Sequence, residues 1–492
     1  MAAAPALENY IGGEWVAAGS GETFESTSPA TGETLASFPR SGAADVERAV
    51  AAAKSAFEEW RLVPAPQRGA MLFRLGEILR AHKDELTDLM THEMGKVKAE
   101  AGGDVQEAID MSYYMGGEGR RLFGQTTPSE LPDKFMMSVR QPIGVVGAIT
   151  PWNFPIAIPS WKLTPALVCG NTVVLKPAED TPFLAQRFVE LLTEAGVPPG
   201  VVNIVHGFGE EAGDALVRHP DVPVITFTGS RATGIAVTKA AADHLKHVHL
   251  ELGGKNAIIV LDDADIDLAV EGIVWSAFGT TGQRCTAASR VIVHEAVYGE
   301  LQSRLVSAAE KLRLGPGWED GTDVGPLINR AALDKVASYT QIGKDEGATL
   351  LTGGEGVDGP GFYYRPTVFG DVEAGMRIAR EEIFGPTTAL IPVGSFEEAV
   401  AAANSVSYGL SSSIFTRDVN RAFRAMRDLQ AGITYINAGT TGAEVHLPFG
   451  GTKDTGNGHR EAGQAALDVF TEWKSIYVDY SGKLQRAQID NA

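Results

Sequence analysis

Two cysteines occur in 492 residues, and they sit in opposite surroundings. Cys169, in "PALVCGNTVVL", has the apolar neighbours of a small core residue. Cys285, in "SAFGTTGQRCTAASR", lies among glycine, threonine and serine after a helix expected to end near Gly279. The adjacent guanidinium of Arg284 and nearby backbone N–H groups would favour the thiolate, the reactive form of cysteine. The plain alternative is an inert thiol in a polar turn. Two cysteines cannot build a disulfide framework or a cysteine-rich zinc site, and no histidine cluster accompanies Cys285, so no metal is expected.

A nucleophile needs a base and a place for developing negative charge. Glu251 ends the apolar run of "HVHLELGGKNAIIV"; desolvation there would raise its pKa towards the range useful for taking a proton. Its alternative is a strand-end glutamate paired with a lysine. In "GAITPWNFPIAIPSWKLTPAL" three prolines hold a rigid turn around Asn153, whose amide can donate to an oxyanion or merely form an Asx turn. A dinucleotide signal is present in unusual form. No G-x-G-x-x-G follows the first expected strand, but "VITFTGSRATGIAV" gives a strand, Gly229, Ser230, then Gly234 opening a helix, and such a helix N-terminus receives a pyrophosphate. "VVLKPAED" places Lys176 and Glu179 just past another strand, where a lysine and a glutamate can hold ribose hydroxyls.

These residues need elements to position them. The first third is expected to be mainly helical: Val46, Val50, Ala53, Phe57 and Trp60 share one helical face, as do Leu72, Leu75, Leu79, Leu86 and Leu89. From Ile143 onward, short β-branched runs alternate with helix-like segments, the pattern of a parallel sheet covered on both faces. The alternation resumes after Gly254 as a second α/β unit. The fold class expected is therefore α/β: a Rossmann-like unit, a second α/β unit, and a clefted interface between them. A formal charge of −20, from 42 basic and 62 acidic residues, argues against nucleic acid as a partner. No run of 18 apolar residues and no signal-like N-terminus occur, so the expectation is no membrane and a cytoplasmic location.

Taken together, "PWNFP", "KPAE", "FTGS", "ELGGKN", "GQRCT", "EEIFGP" and "LPFGG" resemble, in order and spacing, the aldehyde dehydrogenase superfamily, from "YIGGEW" to "TEWK". The resemblance implies a nucleotide-binding domain over 1–123 and 143–253, a catalytic domain over 254–455, and an oligomerisation arm and tail over 124–142 and 456–492. It implies Cys285 as nucleophile, Asn153 with the Cys285 N–H as oxyanion hole, and Glu251 as the base that activates water. Glu461, in a "GNGHREAG" segment one residue longer than the commonest form, matches a proton-relaying acid. Around the cofactor it places Thr150, Pro151, Trp152, Lys176, Glu179, Gly209, Gly229, Ser230, Gly234, Leu252, Glu382 and Phe384. The cofactor implied is NAD, because Glu179 repels a 2′-phosphate; the side chain can swing away, so NADP stays open.

The expected reaction is oxidation of an aldehyde to the acid through a thiohemiacetal and a thioester that water hydrolyses. Trp161, Thr286 and Phe449 are expected to line the substrate tunnel. Arg284 is expected either to anchor a substrate carboxylate, which would indicate a semialdehyde, or to tune the thiol. A broad aliphatic or aromatic aldehyde specificity is the alternative, and a non-redox cysteine acyltransferase or thioesterase is the alternative from another class. A homo-oligomer, dimer or tetramer, is expected through Ile476–Tyr480 and roughly Phe123–Gln141.

Overall fold

A computed structural model describes residues 5–490; the extreme ends of the first and last expected segments lie outside the described residues. Two seven-stranded sheets carry the molecule. In the first, the parallel strands run in the order His247–Glu251, Val224–Thr228, Val145–Ile149, Thr172–Lys176 and Val202–Ile204. The strand earliest in sequence lies in the middle, and the chain winds outward from it in both directions. That leaves a crevice between the C-terminal ends of Val145–Ile149 and Val224–Thr228, the place where open parallel sheets take ligands. These strands are buried on both faces, which is why they read as unbroken apolar runs rather than alternating ones.

The second sheet orders Thr349–Thr352, Thr367–Gly370, Thr387–Val393, Ala288–His294, Asn256–Val260, Ser411–Phe415 and Ile433–Ile436, with only the first pair antiparallel. The two-sheet α/β architecture matches the expectation. A third, three-stranded antiparallel sheet joins Thr471–Asp479 to Lys134–Pro142 and Gln125–Pro128. Trp473 and Tyr477 on one face, Phe135 on the other, and Tyr480 just past the strand are exposed.

The N-terminal third is mainly helical as expected, through Ala43–Trp60, Ala65–Ala81, Lys83–Glu93 and Lys98–Glu118, but its first forty residues are not. Strands Asn9–Ile11 and Glu14–Val16 form a hairpin on the edge of the first sheet, with Gly12 and Gly13 at positive φ in the turn, and Thr23–Thr27 pairs with Thr34–Pro39. These strands are too short for periodicity to reveal. The leucine-rich stretch is also two helices, Ala65–Ala81 and Lys83–Glu93, broken at His82 (φ −99°, ψ 11°). Leu72, Leu75, Leu79 and Leu86 are nevertheless all buried in one core.

Candidate active site

The nucleophile turn is built from unfavourable backbone. Helix Ile266–Phe278 ends, and Thr280, Thr281 and Gly282 follow with φ of 50°, 57° and 68°. Two β-branched residues in the left-handed region need strong compensation. Glu100 supplies it: its carboxylate accepts from Thr280 N at 3.0 and 2.8 Å and from Thr280 Oγ1 at 3.2 Å. Thr281 Oγ1 donates to the Gly325 carbonyl at 3.0 Å. Gly282 has no substitute, since a Cβ there would lie 2.1 Å from the Gly385 carbonyl oxygen. Downstream, Asn256 Nδ2 donates to the carbonyls of Cys285 (2.7 Å) and Ala287 (2.9 Å). Asn153 Nδ2 donates to the Gln283 carbonyl at 2.9 Å. A primary amide carries two N–H donors, so this bond ties the Asn153 side chain to the backbone two residues before Cys285 and leaves a second donor uncommitted.

Glu251 ends the strand next to the crevice. Both carboxylate oxygens are buried without a hydrogen-bond partner, and Oε1 lies where a Cβ of Gly450 would stand. Burial, then repulsion from Glu461, holds its pKa well above the usual carboxylate range. Glu461 is ion-paired with Lys162, whose Nζ also donates to Thr226 Oγ1 at 3.0 Å. Thr226 Oγ1 in turn lies 3.0 Å from His249 Nδ1. Sequence reasoning missed Lys162 and His249. The signal for Lys162 was readable: one cation inside "IAIPSWKLTPAL", a helix that proves almost wholly buried.

The residues expected around a cofactor stand at strand ends, turns and helix starts. Ser230 caps helix Arg231–Ala241 by accepting from Thr233 N at 3.1 Å. A Cβ on Gly229 would meet the Phe227 ring at 2.5 Å, and one on Gly234 would meet Leu252 at 2.6 Å, so both glycines keep this turn low and open. Gly209 begins a separate helical turn with open space above it. Thr150 N donates to the Lys176 carbonyl at 3.2 Å, and Pro151 follows. Lys176 Nζ pairs with Glu179 at 2.9 Å. On the other side Glu382 Oε1 accepts from Gly254 N at 3.0 Å, with Gly253 making room for it. Phe384, at φ 62°, meets Trp152 edge-on at 5.4 Å. Aromatic rings, a ribose-sized acid–base pair and a capped helix N-terminus fit a dinucleotide.

A cleft of about 890 Å³ reaches Cys285, Glu251, Glu461 and Thr286 between Trp161 and Phe449, whose rings meet edge-on at 5.1 Å. Arg284 requires a correction. Its guanidinium is mostly committed: Nε donates to Thr280 Oγ1 (2.9 Å), Nη2 donates to Glu100 (3.1 Å), and its face lies 4.5 Å from the Trp275 ring. Its charge is matched by the buried Glu100 carboxylate, and although it lines the cleft it serves the turn first. The expected activation of the thiol by Arg284 also fails. Burial, then the charges of Glu251 and Glu382, pushes Cys285 up to about 12. Arg284 spends its charge on Glu100 rather than on the thiol. Among the described residues no group of His, Cys, Asp and Glu could hold a metal ion.

The chain belongs to the aldehyde dehydrogenase family, whose model matches residues 15–476; it is an aldehyde dehydrogenase. It is 44% identical to alpha-ketoglutarate semialdehyde dehydrogenase of Haloferax volcanii, over 96% of this chain and 99% of that protein. To the alpha-ketoglutaric semialdehyde dehydrogenase of Bacillus subtilis it is 42% identical, over 96% and 97%. The fold superposes on the NAD+ complex of an aldehyde dehydrogenase from Bacillus cereus with a TM-score of 0.94 at 40% identity, covering 96% of each chain.

Two outcomes follow from the turn. Arg284→Met leaves the buried Glu100 carboxylate without its cation, a loss of about 3–5 kcal/mol for a broken buried pair, read as a lower Tm. The ratio of kcat/KM for succinic semialdehyde over pentanal should stay within about twofold; a collapse of that ratio would restore Arg284 as the anchor. In the free enzyme, iodoacetamide alkylation of Cys285, mapped by mass spectrometry, should rise about tenfold per pH unit from pH 7 to 10, as expected below a high thiol pKa. A plateau beginning below pH 8 would contradict a protonated resting thiol.

Proposed function

We propose that the protein oxidises an aldehyde to its carboxylic acid with NAD as cofactor, NADP remaining open to it, and that the single observation carrying this is Cys285 and Glu251 facing one cleft beside a dinucleotide crevice. Bound NAD supplies the hydride acceptor that turns a cysteine thiohemiacetal into a thioester. This chain's residues do the rest. Glu251 takes the thiol proton, Cys285 attacks the carbonyl carbon, and Asn153 with the Cys285 N–H receives the oxyanion. After oxidation Glu251, having given up the thiol proton, takes one from water as the water oxygen adds to the thioester; the C–S bond breaks, the sulfur regains a proton from Glu251, and the acid leaves. Lys176 and Glu179 suit the adenosine ribose, Ser230 and Trp152 the pyrophosphate, and Glu382 and Phe384 the nicotinamide side. A non-redox acyltransferase would have no use for that crevice.

For the substrate we favour a semialdehyde, the class named for both relatives above. Arg121 supports this. It lines the cleft, and its Nε and Nη2 go to Glu118 while Nη1 remains for a carboxylate. One observation favours a second reading, a cationic aldehyde. Glu107 lines the same cleft without an ion-pair partner, and burial, then Asp104, pushes its pKa to about 8. Aromatic walls beside a carboxylate also suit an ammonium group.

The domain division at 1–123 with 143–253, 254–455, and 124–142 with 456–492 is retained as our assignment. We assign a homo-oligomer, dimer or tetramer, to the three-stranded sheet. Its strand Thr471–Asp479 has one open edge and exposed aromatic side chains, features that invite pairing with a second copy. A cytoplasmic site of action is in keeping with the reduced thiols; no described helix is long and apolar enough to cross a membrane.

Glu251→Gln should form the first equivalent of NADH more slowly, then stall with the acyl group on Cys285, visible by intact-mass spectrometry. Full turnover without a covalent species would remove Glu251 from the role of base. Arg121→Ala should cut kcat/KM for succinic semialdehyde by about tenfold or more while sparing pentanal, the loss expected of an unmatched charge. If instead Glu107→Gln selectively cuts activity on a trimethylammonium aldehyde that outperforms both, the cationic reading holds.

A further inference from the structure

The overall reaction converts an aldehyde, water and the oxidised cofactor into a carboxylate, the reduced cofactor and two protons. When the C–S bond breaks the sulfur recovers a proton and the acid carries one away, but two first arise in a buried pocket: one from the Cys285 thiol and one from water. Glu251 collects each of them, yet its carboxylate has no hydrogen-bond partner through which to pass them on. A second buried carboxylate, Glu461, sits nearby and is bound to Lys162. Something must connect the two.

His249 stands between them. It precedes Glu251 by two residues on one strand, so alternation puts both side chains on the same face of the sheet. Its Nε2 is 3.6 Å from Glu251 Oε1 and its Nδ1 is 3.7 Å from Glu461 Oε1. Nε2 is buried without a partner, as are both oxygens of Glu251; three unpartnered polar atoms meet across one gap. A shift of a few tenths of an ångström would bring these separations to hydrogen-bond length. We propose that His249 is the proton conductor between Glu251 and Glu461: Nε2 accepts the proton that Glu251 has collected, and Nδ1 releases one to Glu461. The imidazole leaves with its charge restored and its tautomer exchanged, and rotation of the Thr226 hydroxyl against Nδ1 accommodates either tautomer. This inference rests on Glu251 being the base.

The surroundings suit transit rather than storage. The groups facing the ring are Thr226 on the adjacent strand, Lys162 on helix Ala157–Cys169, Glu251 on its own strand, and Glu461, His459 and Arg460 on the returning loop. Burial first, then Lys162, His459 and Arg460, keeps His249 far below the usual histidine range, so it is neutral at rest and an imidazolium there is short-lived. His459 meets it edge-on at 5.7 Å and is itself exposed to solvent, which puts bulk water one residue beyond the chain Glu251, His249, Glu461. The ring is a positioning and proton-transferring group, touching neither the substrate nor the thiol.

The experiment is rapid-mixing kinetics on holoenzyme with saturating NAD and a good aldehyde. His249→Gln, which retains polar atoms but cannot carry a proton, should leave the rate of the first NADH equivalent within about twofold and slow the following steady state by about 10²-fold, the scale of one general acid–base group. A pre-steady-state burst should then stand out, KM should fall with kcat, and the thioester should accumulate. His249→Ala should regain part of its steady-state rate with added imidazole, rising with the fraction of free imidazole. Unchanged steady-state turnover in His249→Gln overturns the proposal, as does equal slowing of burst and steady state or an absence of imidazole rescue in His249→Ala. If Glu251→Gln turns over without accumulating acyl-enzyme, the base itself is misassigned, an outcome separable from failure of the histidine alone. Should His249→Gln lose its fold by circular dichroism, the imidazole titration of His249→Asn decides on the same criteria.

Discussion

The Glu100 carboxylate holds the catalytic geometry together. Two threonines in the left-handed region oppose the turn by about 1–3 kcal/mol each, and Glu100 offsets this with charge-assisted bonds worth about 1.5–3 kcal/mol apiece. The same helix, Lys98–Glu118, carries Asp104, which accepts from Ala157 N at 2.8 Å and pairs with Lys96 at 2.6 Å. Asp104 thereby fixes the start of the helix bearing Trp161 and Lys162. One further turn along, Glu107 lines the cleft. A single surface helix thus sets the nucleophile's turn, the helix behind the base, and part of the substrate wall.

Electrostatics explain why such a site can rest without reacting. Glu251, Glu461 and Glu382 surround a thiol that has no cation directed at it, so Cys285 stays protonated. Glu251 is at the same time raised by burial and by Glu461. The two groups that must exchange a proton are therefore both raised in proton affinity by the same buried surroundings. The buried cation Lys162 offsets part of this accumulation of negative charge and is itself bound by Glu461 and Thr226.

Much of this was legible in the residues, for reasons that differ by element. The fully buried parallel strands announced themselves as apolar β-branched runs, and helix Ile266–Phe278 falls on the expected span. Cys285, Glu251 and Asn153 were legible because polar residues in or beside apolar segments invite a chemical reading. What failed was inference from adjacency along the chain. Arg284 follows a turn whose φ values could not be read from "GTTGQR", and its partners, Glu100 and Trp275, come from distant or preceding helices. His249 escaped notice because in "HVHLEL" it alternates like any strand residue; its meaning lies in Glu461, which is 212 positions away in sequence but adjacent in space. The short N-terminal hairpins were lost for want of length.

The segment "GNGHREAG" has to bring Glu461 back beside Lys162, and the structure shows how. Asn457 behaves as a surrogate strand: its Nδ2 donates to the Val248 carbonyl at 2.6 Å and its Oδ1 accepts from Leu250 N at 3.1 Å. Gly456 bridges the Glu251 backbone. These bonds stitch the loop to the edge of the strand carrying the base, so the chain arches outward at Gly458 and His459. Beyond the arch Glu461 and Phe449 exchange both backbone bonds, at 2.6 and 2.7 Å, and Ala462 and Gly463 at positive φ turn the chain back. Register is restored before the acid is reached. The loop therefore keeps the Lys162–Glu461 pair in place and sets an exposed imidazole over His249.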